Sequence, residues 1–136
     1  MKILVCIKQV GESESPIQID DYGRWIQTDA ITGYQMNRLD EFAVEEAVLL
    51  KEAYPGTSVD AITLGPDRSA EVIKRAIGMG ANHGVHIITE SEGYLNPFNI
   101  ASRIADYARD KQYTLILTGV MSEDQMQGQV LSLIHI

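Results

Sequence analysis

Basic residues are scarce in this sequence. Lys and Arg number 11 against 19 Asp and Glu, a formal net charge of −8 over 136 residues. That balance argues against a nucleic-acid partner, because phosphate backbones are held by clustered cations. Cysteine occurs once, at Cys6. An internal disulfide is therefore impossible, a reducing compartment is expected, and the chain reads as cytoplasmic. No apolar run approaches the length of a membrane span. The N-terminal apolar stretch is broken at Lys8, and no small-residue cleavage site follows it, so it does not read as a secretory leader. No His stands at ligand spacing to Cys6, which leaves no expected metal centre. His83 and His86 lie three apart on one strand and so fall on opposite faces. No Ser-His-Asp or Cys-His arrangement is visible.

What remains is the make-up of one globular α/β domain: 45% hydrophobic and 22% charged residues, enough for a real core. Lys2 to Ile7 is a near-continuous apolar run, the pattern of a strand covered on both faces. Gly11 to Tyr34 is less regular. Ile17-Gln-Ile19 and Trp25-Ile-Gln27 alternate around Asp21-Tyr-Gly23, which predicts a small outer hairpin. A connection this long is expected to carry function or to touch a partner.

Asn37 predicts a helix N-cap, with Asp40 placed for the positive end of the helix dipole. Ala43, Ala47, Leu50 and Tyr54 form the expected apolar face, widened by Leu39, Phe42 and Leu49, and Pro55-Gly56 ends the helix. Thr57 to Leu64 predicts a second strand. Gly65-Pro66 restarts a helix, with Ala70, Ile73, Ala76 and Ile77 on one face. Gly84 to Thr89 predicts a third strand. Asn96-Pro97 opens a helix striped by Ala101, Ile104, Ala105 and Ala108. Tyr113 to Thr118 predicts a fourth strand, which breaks at Gly119 into a polar loop with a second glycine at Gly128. The β–α–β–α–β–α–β alternation implies a doubly wound parallel sheet.

Open parallel sheets bind ligands beyond the carboxyl ends of strands, where strand order reverses. The common orders set the first and fourth strands side by side, with the second and third beyond the first. The loops at Lys8 and at Gly119 to Gln129 would then share one crevice, with the start of the Asn37 helix pointing into it. A strand ending in a Gly-bounded polar loop lets backbone N–H groups approach an anionic ligand. That loop contains no Lys or Arg, so a phosphate there would be held by backbone and neutral side chains.

Several blocks occur together and in order. They are Lys-Ile-Leu-Val-Cys-Ile-Lys-Gln-Val at the start, Met36-Asn37-Arg38-Leu39-Asp40-Glu41-Phe42-Ala43-Val44-Glu45-Glu46-Ala47, Leu64-Gly-Pro66, Arg75-Ala-Ile-Gly-Met-Gly-Ala81, and Leu117-Thr-Gly119 with Ser122, Asp124 and Gly128-Gln129. Across residues 1–130 this chain resembles the beta (small) subunit of electron-transfer flavoproteins. The resemblance implies an adenine-nucleotide-binding, Rossmann-like fold of the HUP type, here truncated after the fourth strand. It implies a heterodimer with an alpha subunit that holds most of the redox FAD, while this subunit holds AMP or a second FAD. Electrons would arrive from acyl-CoA dehydrogenases or similar flavoenzymes and leave to a quinone reductase or another acceptor. The protein would be a carrier and would break no substrate bond.

Carried over by position, the resemblance implies a nucleotide contact at the backbone of Cys6. It implies a cap at Asn37, Arg38, Leu39 and Asp40, and a contact at Leu64. The phosphate and ribose loop would be Gly119, Val120, Met121, Ser122, Glu123, Asp124, Gln125, Met126 and Gln127, with Gly128 and Gln129 next. Many family members have Asn-Pro-Phe where this chain has Asn37-Arg38-Leu39, so Asn37 and Asp40 carry over more securely than the two between. The last residues, 131–136, resemble a translated sequencing adapter and are expected to be a foreign tail, where the family pattern runs on as Gly-Pro and a helix. Two other readings fit the fold. A universal-stress-type nucleotide-binding regulator would show two spaced glycines and then a Gly-Ser or Gly-Thr before a final strand, where only Gly119 and Gly128 stand and no Gly-Ser follows. An adenylating enzyme would show a Ser-Gly-Gly-type loop after the first strand, where Gln9-Val-Gly11-Glu-Ser stands instead.

Overall fold

The computed structural model describes residues 1–27, 31, 33–90 and 94–135. A four-stranded parallel sheet forms the centre. Its strands are β1 (Lys2–Cys6), β4 (Ser58–Gly65), β5 (His83–Ile88) and β6 (Leu115–Thr118), in the order β5-β4-β1-β6. The predicted arrangement is therefore present, with β6 on one side of β1 and β4 and β5 on the other. Between them run α1 (Arg38–Ala53), α2 (Ala70–Met79) and α3 (Pro97–Ala108), and a short α4 (Val130–Ile134) follows β6.

The apolar run of β1 is explained by burial on both faces. Ile3, Val5 and Ile7 pack with Val44, Ala47, Val72 and Ala76 of α1 and α2. Leu4 and Cys6 point the other way, into a second cluster with Ile62 and Ile104. Helices thus cover both faces of the sheet, the condition for parallel strands with little polar alternation.

Four details depart from the sequence expectation. First, two short strands, β2 (Gln9–Gly11) and β3 (Tyr34–Met36), pair antiparallel and clamp the two ends of the long connection. Second, the expected hairpin shrinks to a single bridge between Ile19 and Ile26, closed by Asp20 N–H to Trp25 O at 2.8 Å and Gln27 N–H to Gln18 O at 2.7 Å. Third, the buried stripe of α1 is Asp40, Ala43, Val44 and Ala47, whereas Phe42 and Leu49 are 71% and 49% exposed and Tyr54 is exposed too. The α1 face is set by small residues that let the helix lie close to the sheet, and the large side chains fall outside that contact. Fourth, Ile77 is exposed, and Val72 takes its place with Ala76.

Gly78 lies inside α2, and an added Cβ would meet nothing within 4 Å. Gly78→Ala should therefore stabilise the chain by about 0.5–1 kcal/mol, because alanine loses less backbone entropy in a helix. A higher urea midpoint checks this, and a lower one would mean the methyl meets a surface the fold does not show.

Candidate functional site

β1 and β6 lie side by side at the point where the strand order reverses, with Cys6 paired to Thr118. Past these two residues the chains diverge, and a cavity of about 460 Å³ opens at the carboxyl ends of the strands. That size suits a small organic ligand. Its floor is Cys6, Ile7 and Lys8, one wall is the loop from Gly119, and another is Leu64 and Gly65 at the end of β4 with Ser69 beyond it. The arm between β2 and β3 contributes Ile17, Trp25 and Ile26, and Trp25 reaches across to Tyr94 with ring centroids 5.6 Å apart.

Asp40 joins the elements at the divergence. Its carboxylate is buried at the start of α1 and accepts the Lys8 N–H at 2.8 Å and the Gly119 N–H at 3.0 Å. One side chain thus satisfies the first free backbone donor after β1 and the first after β6. Burial pushes its pKa up to about 6, against the opposing pull of those two N–H groups. Gly119 is required beside it. A Cβ there would sit 2.6 Å from the Leu39 carbonyl carbon and 2.8 Å from the Asp40 nitrogen.

Asn37 is 1% exposed and makes no side-chain cap bond, contrary to the capping expectation. Its carboxamide is committed elsewhere. Nδ2 donates to Met121 O at 2.9 Å, and Oδ1 accepts Glu123 N–H at 3.0 Å. The role the side chain would play within its own helix is given up to hold a loop more than 80 residues away. The helix's first N–H, that of Arg38, is taken instead by the Glu123 carboxylate at 3.1 Å. Lys8 Nζ meets Asp124 at 2.7 Å. Inside the loop, Ser122 N–H donates to Gln127 O and Met126 N–H to Ser122 O, with Met126 at φ 52°.

Of the residues anticipated from the sequence, Cys6, Asn37, Arg38, Asp40, Leu64, Gly119, Met121, Ser122, Glu123, Asp124, Gln125, Gln127 and Gly128 line this one cavity. Leu39, Val120, Met126 and Gln129 do not. Val120 and Met126 turn outward, 76% and 73% exposed, Gln129 is also exposed, and Leu39 lies half-buried on α1. The Cys6 thiol is pushed up to about 12, first by burial and then by the Asp40 carboxylate, so it stays protonated and inert. Sequence reasoning missed the wall built by Gln9, Tyr34, Arg68 and Ser69. There Gln9 Nε2 donates to Arg68 O at 3.0 Å and the Arg68 guanidinium lies 4.2 Å over the Tyr34 ring. The short β2 and β3 that place Gln9 and Tyr34 were the missing signal.

Among the described residues, the lining carries three cations, Lys8, Arg38 and Arg68, and four carboxylates, Glu12, Asp40, Glu123 and Asp124. No group of His, Cys, Asp and Glu among them could hold a metal ion, and no described helix is long and apolar enough to cross a membrane.

Comparison with known proteins adds the following. A family described as "Electron transfer flavoprotein domain" matches residues 25–134. A Bradyrhizobium diazoefficiens protein named "Electron transfer flavoprotein subunit beta" is 33% identical over 129 residues, covering 95% of this chain and 51% of that protein. The Dictyostelium discoideum protein of the same name is 35% identical over 124 residues, covering 91% and 48%. The human one is 32% identical over 126 residues, covering 91% and 49%. The chain spans about half the length of the curated relatives it matches.

Proposed function

Because the chain belongs to the electron transfer flavoprotein family, we propose that it acts as a beta-type electron carrier subunit. It holds an adenine nucleotide, AMP or a second FAD, in the crevice between β1 and β6. It pairs with an alpha subunit, and the redox FAD is shared with that partner. Electrons come from acyl-CoA or similar flavin dehydrogenases and go to a quinone reductase or another acceptor, in the cytoplasm. The chain makes and breaks no substrate bond of its own.

One observation supports this reading above the others. The two strand ends, the start of α1 and the Gly119 loop converge on a single cavity through Asp40 and Asn37. A nucleotide lying across the ends of β1 and β6 would find a shaped wall there and the exposed Arg38 guanidinium at its rim, the usual place for such a ligand in an open parallel sheet.

Co-expression with an electron transfer flavoprotein alpha subunit tests the proposal. The expected result is a yellow complex in which both chains and flavin absorbance co-elute, and which releases an adenine nucleotide on denaturation. Separate elution of the two chains, with no flavin and no nucleotide, would overturn it.

A further inference from the structure

The loop that closes the crevice brings its own negative charge to the places where an anion would be stabilised. Glu123 holds the first N–H of α1, at Arg38, and Asp124 holds the Lys8 ammonium at 2.7 Å. A helix start and a neighbouring lysine are the two features that ordinarily attract a phosphate. Here both are already met by carboxylates of the chain. The Arg38 guanidinium is exposed at the rim and makes no ion pair among the described residues.

We infer that Glu123 and Asp124 are specificity-determining residues that limit the charge of the ligand the crevice accepts. The inference rests on the proposed nucleotide site and adds a selection rule to it. A ligand with one phosphate can be met by the exposed Arg38 guanidinium. Each further phosphate must approach two fixed carboxylates or displace them from their partners, so of the two nucleotides proposed for the crevice AMP is favoured over FAD, whose diphosphate brings a second phosphate. Like charges a few ångströms apart at a partly wetted protein surface repel appreciably, and salt weakens the effect.

Both carboxylates lie on an exposed stretch of loop. The loop's backbone is held independently of them, by Asn37 and by its own turn. Neutralising the carboxylates changes charge with little change of shape.

The test is isothermal titration of the 136-residue chain with adenosine, AMP, ADP and ATP at low salt, each affinity expressed relative to adenosine for the same variant. In the wild type, affinity should fall roughly three- to tenfold with each phosphate added beyond the first. In the Glu123→Gln, Asp124→Asn double variant, the steps from AMP to ADP to ATP should shrink to about twofold or less. Added salt should shrink the wild-type steps in the same direction. A purely structural effect of the substitutions would move adenosine together with the others and leave the steps unchanged. Steps of equal size in wild type and double variant, or wild-type steps insensitive to salt, would overturn the inference and leave the nucleotide site standing. Failure of the wild type to bind any of the four would remove the site, and the selection rule with it.

Discussion

Gly119→Ala should be strongly destabilising. The new Cβ would lie 2.6 Å and 2.8 Å from backbone atoms of Leu39 and Asp40. Neither can turn aside as a side chain could, so α1 must move off the end of β6. Overpacking of this kind typically costs about 1–3 kcal/mol when side chains can adjust. With a helix backbone as the obstacle, a loss at or above the top of that range, about 3 kcal/mol, is expected. Urea unfolding followed by far-UV circular dichroism measures it. The same displacement breaks the Gly119 N–H bond to Asp40 and opens the wall of the crevice that starts at Gly119. Affinity for the proposed nucleotide should therefore fall even in preparations that remain folded. A midpoint within error of the wild type would show that β6 and α1 do not approach as described.

Asp40→Ala should cost about 2–4 kcal/mol, because it strands two partly buried N–H groups, those of Lys8 and Gly119, and removes the atoms that fill the space between them. Asp40 also gives stability a pH dependence of unusual sign for an acidic residue. Its folded pKa, about 6, lies above the ordinary 3.8, so the native state holds this proton more tightly than the unfolded chain does. The contribution is therefore greatest below about pH 4 and declines as pH rises through 6. A shift of about two units corresponds to about 3 kcal/mol across that window. Asp40→Asn cannot ionise, so the difference in stability between wild type and variant should change by that order between pH 4 and pH 7. Parallel profiles would show that the carboxyl titrates normally and is less buried than it stands here. A carboxyl held below its usual range, as Asp20 is by the Arg24 N–H, superimposes the opposite trend, so the comparison between the two proteins is the informative quantity.

The sheet was legible because its signals are local. β1 is apolar on both faces, each crossover helix carries a stripe of alanines, and glycine or proline stands at most junctions. From these follow the parallel order and the meeting of Cys6 with Thr118. The working parts of the crevice were less legible. Asn37 and Asp40 both have ample local reasons to stand at a helix start, so their residue types fit a cap and a dipole partner. Their actual partners lie 79 to 86 residues onward, at Gly119, Met121 and Glu123, and no local pattern encodes such a bond. The strands β2 and β3 escaped notice because three residues are too few to show a period. On α1, Phe42 and Leu49 are apolar at nearly helical spacing, yet the small side chains one position away are what the sheet accepts.

The pairing of β1 with β6 also dictates when the crevice can come into being. Ile3 must find Leu115, and Lys8 and Gly119 must find the same carboxylate, across more than a hundred intervening residues. Contacts so distant in sequence form slowly, after the nearer strand pairs have reduced the search. During synthesis, β1, β4 and β5 with α1 and α2 can assemble on the ribosome before the wall that starts at Gly119 exists. Any ligand that uses this cleft is captured only after Thr118 has left the exit tunnel, so the onset of such capture would report that β6 has docked.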